Sequence, residues 1–446
     1  VSAHFIERPR YTCSLGGATF AVNALPGGIP ILHAPAGCAG SFAWAQNGGS
    51  ALQVGGNCGS LSIPSSNLQE NEVVFGGDAR LRQQVKNTLD VVDGGLYVVL
   101  TSCVTEIVGD DILSVVKDFR AEGASIIGAK TGGFKGNAYH GYDILLQALF
   151  KDFIEARKPK RRGSVNVWGI APYLDPFWRG NLLGVRRLLQ SLGLQVNSFF
   201  AGEDSLEAIR ASAEAELNIV VSDVYGIDAA VAFEERHGTP FLATSLPIGP
   251  SASSAFLTAV AERLGTAETV LDAALHEGNR TYYKTLEALT DCYQDMDLQR
   301  YAVVVGDANY AVALTRFLAE DLGWLPELTV CTDQLDGEEQ ARLTARLDQV
   351  KNVAANLVFE TDGSEVIGHL NRRWPRSQGQ RYYNAFSPAF VLGSSFEREL
   401  AQAIGAPHLS ISFPVANRAI LNRGYTGFGN GLTLVEDLLS AIVNGR

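Results

Sequence analysis

No apolar run in this 446-residue chain reaches the roughly 18 uninterrupted residues that a membrane-spanning helix needs, so no membrane span is expected. Positive charge is in deficit as well. The formal net charge is −12, which repels phosphate backbones and argues against a nucleic-acid partner. The one dense basic run, Arg157-Lys158-Pro159-Lys160-Arg161-Arg162, reads as a solvated linker between two structured segments. The opening residues, Val1-Ser2-Ala3-His4-Phe5, show no basic stretch followed by an apolar one, so no signal peptide is read and a cytoplasmic chain is expected. Collagen-like and low-complexity periods are missing. Cysteine is scarce: six residues, with no C-x-x-C pair among them. That excludes a ferredoxin motif and a zinc ribbon, and a cytosolic chain of this size does not suggest a disulfide framework. There is no G-x-G-x-x-G, P-loop or nucleophile elbow, and Gly306-Asp307-Ala308-Asn309 after a strand is only a weak nucleotide signal.

What is present points to a large α/β protein. Hydrophobic residues make up 46% of the chain, and 46 glycines fall mostly in short clusters after apolar runs, as tight βα turns require. Apolar strands such as Ile29-Pro30-Ile31-Leu32 and Leu96-Tyr97-Val98-Val99-Leu100 run into Gly-, Ser- or Cys-bearing loops and then helical stretches. The same alternation resumes at Val165-Asn166-Val167-Trp168 and again at Tyr301-Ala302-Val303-Val304-Val305. Short apolar runs alternating with amphipathic helices predict mostly parallel sheets flanked by helices. Three Rossmann-like domains are expected, over 1–162, 163–298 and 299–446, with sites at the carboxyl ends of strands.

The cysteines are unevenly placed: Cys13, Cys38, Cys58 and Cys103 lie in the first quarter, whereas Cys292 and Cys331 stand apart. Cys38, in His33-Ala34-Pro35-Ala36-Gly37-Cys38, and Cys103, in Thr101-Ser102-Cys103-Val104, each follow a strand. Cys13 precedes a stretch of small residues, Ser14-Leu15-Gly16-Gly17-Ala18. Glycine beside a thiolate lets backbone N–H groups approach cluster sulfurs, and a helix N-terminus offers partial positive charge to an anionic cluster. Each cysteine taken alone reads sooner as a buried structural thiol, and only three in comparable contexts bring the ligand reading level with it. Cys292 and Cys331 are expected to be such packed thiols.

The string Thr101-Ser102-Cys103-Val104-Thr105-Glu106-Ile107-Val108-Gly109-Asp110-Asp111 resembles the cluster-binding signature of nitrogenase component one subunits. His33-Ala34-Pro35-Ala36-Gly37-Cys38 is similar to the family's His-Gly-x-x-Gly-Cys loop, with Ala34 in place of the first glycine. Phe75-Gly76-Gly77, Phe134-Lys135-Gly136-Asn137-Ala138-Tyr139-His140-Gly141-Tyr142-Asp143 and Ile411-Ser412-Phe413-Pro414 match further landmarks, so the similarity runs through essentially the whole chain. The spacing of Cys13 from Cys38 is that of the family's β-type chains.

That resemblance implies a non-catalytic β-type subunit in which Cys13, Cys38 and Cys103 supply half of an eight-iron P-cluster. A homologous α-type chain would supply the other half and hold the catalytic iron–sulfur metallocofactor, in an α2β2 assembly. A separate dimeric iron–sulfur reductase would use ATP and deliver electrons. Relatives that are assembly scaffolds or reduce chlorophyll precursors carry fewer β-chain thiolates around a four-iron cluster, so three cysteines favour the larger one. Cys58, in Gly55-Gly56-Asn57-Cys58-Gly59, reads first as a packed thiol, with a fourth ligand or near-cluster thiol as the alternative. His33 and Gly37 are expected beside the cluster. So is Asn137, at the position where a serine joins the oxidised cluster in molybdenum-nitrogenase β chains. Cys13-Ser14-Leu15-Gly16-Gly17-Ala18 departs from the Cys-Gln-Pro-x-Gly-Ala string of nitrogenase β chains, and Gly40-Ser41-Phe42-Ala43-Trp44-Ala45-Gln46 lacks their basic residues. The pattern looks more like nitrogenase-like methylthio-alkane reductases, which cleave small thioethers to a thiol and a hydrocarbon. A true molybdenum, vanadium or iron-only nitrogenase and a cofactor-assembly scaffold are the alternatives.

Overall fold

Among the described residues, short strands of largely apolar side chains assemble into three parallel sheets. The computed structural model describes residues 6–53, 63–155, 159–295, 298–351, 353, 356–374 and 387–444. The first sheet has the order β1-β2-β3, with β1 (Gly28–His33), β2 (Leu96–Thr101) and β3 (Ile126–Ala129). The second contains β4 (Arg161–Trp168), β5 (Gln195–Asn197), β6 (Ala215–Val220) and β7 (Phe241–Ala243), in the order β5-β4-β6-β7. The third contains β8 (Tyr301–Gly306), β9 (Leu325–Cys331), β10 (Asn356–Phe359), β11 (Ala389–Gly393) and β12 (His408–Ser410), in the order β10-β9-β8-β11-β12. Every ladder is parallel. All six residues of β2 are buried, which is why it reads as an unbroken apolar run and not as an alternation. Apolar side chains from all three sheets join one continuous core. Among the described residues no helix is long and apolar enough to cross a membrane.

The α/β fold with parallel sheets is as the sequence predicts; one local reading is corrected. Arg161 and Arg162, read as part of a solvated linker, open β4: both are exposed, but their backbone already runs into the ladder with β6. The helix after β7 spans Gly249–Leu264 with Pro250 in its first turn, where the missing N–H has no intrahelical partner to lose.

The first block carries the helices that matter for the cysteines: α1 (Ser14–Ala24), α2 (Ala36–Gly49), α3 (Glu70–Phe75), α4 (Asp78–Val91), α5 (Cys103–Val108), α6 (Ile112–Ala121) and α7 (Ala138–Asp152). Helix α1 has almost no polar face, because Ser14 through Val22 are all buried. It crosses α7 at the closest approach the backbones allow. A Cβ on Gly17 would sit 1.7 Å from the Ala138 carbonyl oxygen, and one on Gly141 would sit 1.8 Å from that of Ser14. Only glycine permits this crossing, and it fixes the start of α1 against the start of α7.

Candidate functional site

Cys13, Cys38 and Cys103 each stand at the amino end of a helix. Cys13 caps α1 with its backbone in the extended region, and its thiol accepts no capping hydrogen bond. Cys38 lies in the first turn of α2, which begins at Ala36, so the strand-to-helix loop is shorter than the sequence suggests. Cys103 is the first residue of α5. The first N–H groups of a helix have no partner within it and carry partial positive charge.

Contacts between chain segments far apart in sequence bring the three together. Gly133 lies in the turn after β3 and donates its N–H to the Cys103 Sγ at 3.1 Å. A Cβ at Gly133 would stand 2.9 Å from Cys103 Sγ and 3.3 Å from Cys13 Sγ, so the bare backbone is what lets both sulfurs close on this turn. Cys38 completes the group. Burial, and then the nearby Cys13 and Cys103 thiols, raise its thiol above the ordinary range. All three thiols are free and half-buried. Among the described residues no set of three or more His, Cys, Asp or Glu side chains is arranged to hold a metal ion.

The turn is held by Glu106, one helical turn after Cys103. Its carboxylate accepts from Thr101 Oγ1 at 2.5 Å and from the Gly132 N–H at 2.6 Å, and pairs with Lys135 Nζ at 2.9 Å. Burial opposes its ionisation, but these donors prevail and hold the Glu106 carboxyl below the usual range. Neither Glu106 nor Gly133 was singled out from the sequence. The signal for Glu106 was its position three residues after Cys103, on the same face of the helix.

His33, at the end of β1, is fully buried. Its Nε2 lies 2.9 Å from Asp110 Oδ2 and its Nδ1 lies 3.0 Å from Ser66 Oγ. Burial lowers its pKa in spite of the Asp110 carboxylate. Asp110 also accepts from the Gly77 N–H at 2.8 Å, which explains the Phe75-Gly76-Gly77 turn. The His33 carbonyl accepts from the Ser102 N–H at 3.1 Å and from Thr105 Oγ1 at 3.2 Å, tying β1 to the start of α5. His33 therefore acts on the site through the backbone that carries Cys103.

Asn137 pairs its backbone with Cys13 in an isolated antiparallel bridge. Its Oδ1 is committed to capping α7, accepting from Tyr139 N at 3.0 Å and His140 N at 3.3 Å. Gly37 faces open space, with no atom within 4 Å of where its Cβ would be. Cys58 lies outside the described residues. Cys331 ends β9 fully buried in the core, and burial pushes its thiol well up, as a packed structural cysteine requires. Cys292 lies in the short helix Thr290–Asp295, away from the first sheet in sequence. A cleft of about 910 Å³ opens beside Cys13, walled by Tyr11, Gly133, Asn137 and His140 on one side and by Asp336 and Glu339 on the other.

Three free thiols thus stand at helix N-termini on a parallel-sheet α/β scaffold. The chain belongs to the nitrogenase component 1 type oxidoreductase family, which it matches over residues 13–443. It is similar to the nitrogenase molybdenum-iron protein beta chain of Sinorhizobium fredii, at 24% identity, covering 98% of this chain and 84% of that one. The nitrogenase vanadium-iron protein beta chain of Trichormus variabilis is also 24% identical, covering 95% of this chain and 91% of its own. The nitrogenase iron-molybdenum cofactor biosynthesis protein NifE of Methanococcus maripaludis is 25% identical, with 95% of this chain and 82% of that one covered. In three dimensions the fold matches nitrogenase Cp1 at pH 6.5 with a TM-score of 0.79 and 19% identity, over 99% of this chain and 95% of that one.

Proposed function

We propose that this chain is the β-type subunit of a nitrogenase-like reductase, in which Cys13, Cys38 and Cys103 hold one half of an eight-iron P-cluster. The observation that carries this reading is the closing of the Cys103 and Cys13 thiols on the Gly133 turn, with the free Cys38 thiol near enough to feel both. The donor set fits the group. Iron–sulfur clusters take thiolates one to a corner, and the corners are separated, so the three sulfurs need not converge on a point as ligands of a single ion must. The three cysteines are half-buried, which suits a site completed by a homologous α-type chain. Bound there, the cluster supplies one-electron storage between a dimeric, ATP-hydrolysing iron–sulfur reductase and a catalytic metallocofactor in the α-type chain, within an α2β2 assembly.

The work of this chain's own residues is to fix the thiolates and tune their surroundings. The Gly133 N–H donates to the Cys103 sulfur, and such a bond to a ligand sulfur would raise the potential of the group it holds. Glu106 and Lys135 hold the turn in place with no net charge. Asn137 caps α7 and so replaces a serine hydroxyl with an amide whose oxygen is already engaged, which removes a ligand that could join on oxidation.

For the substrate we favour methylthio-alkanes over dinitrogen. Support comes from the Cys13-Ser14-Leu15-Gly16 string and from the absence of basic residues after Cys38, both departures from nitrogenase β chains. The similarity to NifE keeps a cofactor-assembly scaffold as the second reading. One experiment separates them: anaerobic co-purification with the α-type chain, then iron quantitation on wild type and Cys103→Ala. Many irons per αβ pair, most of them lost in the variant, with thiol release from a small thioether, are the expected results. A smaller complement of iron without turnover would favour the scaffold, and iron indifferent to Cys103 would sink the cluster reading altogether.

A further inference from the structure

Cys38 and Cys103 ride on the first sheet, but the chain leading into Cys13 is fastened to the third. Residues 6–12 form a strap across the carboxyl end of that sheet. The N–H groups of Glu7 and Arg8 donate to the Asp362 carboxylate, at 2.8 and 3.4 Å. Arg10 is buried, with its side chain fully enclosed; it pairs with the equally buried Glu397 and donates to Ser394 Oγ at 3.0 Å. Glu397 is itself locked by the Ser394 N–H at 2.7 Å and the Ser394 hydroxyl at 2.8 Å. Tyr11 then places its hydroxyl between Thr332 Oγ1, at 2.8 Å, and the Asp333 carboxylate. Asp333 is held in turn by Tyr225 and by the Ala308 N–H at 2.8 Å, and the Tyr11 ring stands edge-on to Tyr139 of α7 at 5.5 Å.

We infer that Arg10 and Tyr11 are positioning residues for Cys13, through which the third sheet sets the third thiolate of the site. This inference rests on the reading of Cys13 as a cluster ligand. On its carboxyl side Cys13 is fixed by α1, through the Ser14 N–H bond to the Gly136 carbonyl at 3.0 Å. On its amino side nothing in the first sheet replaces the strap. A buried guanidinium–carboxylate pair cannot slide without leaving a charge unpaired in a dry environment, so the strap has one registered position. A surface loop would leave the residue before Cys13 free to swing out into the adjoining cleft.

The test severs the strap without stranding a charge, with Arg10→Met and Glu397→Leu combined; Tyr11→Phe, which removes one hydroxyl and no charge, serves as the second variant. Each is co-purified anaerobically with the α-type chain beside wild type, Cys13→Ala and Cys103→Ala. Iron per αβ pair and the electron paramagnetic resonance spectrum during stepwise oxidation are recorded. The expected result is that both strap variants lose the same share of iron as Cys13→Ala and shift toward its spectrum, not toward that of Cys103→Ala. If the double variant does not assemble, Tyr11→Phe alone decides by the same criterion. A wild-type spectrum and iron content in Tyr11→Phe and the double variant, or a loss of iron in either that Cys13→Ala does not show, would overturn the inference. Wild type without iron would instead remove the cluster reading on which it rests, so the two failures are distinguishable.

Discussion

At the scale of single residues, the site depends on an atom that is missing. Gly133 has no Cβ, and the space where one would be is bounded by the sulfurs of Cys103 and Cys13. Alanine at this position would push on both thiols while leaving the distant core untouched. Gly133→Ala is expected to keep a thermal midpoint close to wild type while losing at least half of its iron per αβ pair, as read by iron quantitation and melting of the same preparations. Unchanged iron would mean that the turn does not touch the bound group. The residues around it divide by how they could be found. The three cysteines stand in recognisable strings, so they were legible. Gly133 and Glu106 were not, because their roles rest on bonds that close over 26 to 30 residues, and no local pattern encodes such a closure.

At the scale of elements, strands are read more easily than the helix that begins at Cys13. β2 and β8 are nearly or wholly buried, and they appear in the sequence as runs of β-branched and apolar residues. Helix α1 is also buried all round, and for that reason it has no polar stripe to announce its period. Its packing against α7 instead depends on the reciprocal glycines Gly17 and Gly141. Replacing Gly17 with alanine puts a methyl group inside contact distance of a backbone carbonyl that cannot rotate away. Overpacking of this kind costs about 1–3 kcal/mol, so Gly17→Ala is expected to lower the urea midpoint by that equivalent. Because Cys13 caps α1, the same variant should also disturb the thiolate site, whereas a stability loss far from α1 should not.

At the scale of the whole molecule, a buried carboxylate marks where the second and third sheets meet. Asp175, after β4, accepts from the Phe177 N–H at 2.7 Å, Asn181 Nδ2 at 2.7 Å and Tyr310 Oη at 2.8 Å. Tyr310 belongs to the helix that follows β8, and Asn181 also receives the Tyr425 N–H at 2.8 Å, so one buried knot joins three parts of the chain. Burial pushes the Asp175 carboxyl up to about 6, against the pull of its three donors. In the unfolded chain an aspartate ionises near about 3.9. Between these values the folded state binds more protons than the unfolded one, so this group's contribution is full below the lower value and is lost as pH rises through about 6. The stability of wild type relative to Asp175→Asn is therefore expected to fall by about 2–3 kcal/mol between roughly pH 4 and pH 7, measured by denaturant titration at each pH. A difference independent of pH would show that Asp175 is ionised throughout.

The sequence by itself determined the class of the scaffold. Unbroken apolar runs can be satisfied only in parallel sheets covered on both faces, and cysteines without C-x-x-C spacing exclude the compact local metal motifs. Whether Cys13, Cys38 and Cys103 would meet was decided only by the tertiary structure. Their convergence depends on the α1–α7 crossing, on the Glu106 bonds to the Gly132 turn, and on the strap that Arg10 and Tyr11 anchor to the third sheet. Each of these is a contact between segments remote in the chain, and its geometry is fixed by backbone proximity and buried charge pairing, neither of which leaves a period in the sequence.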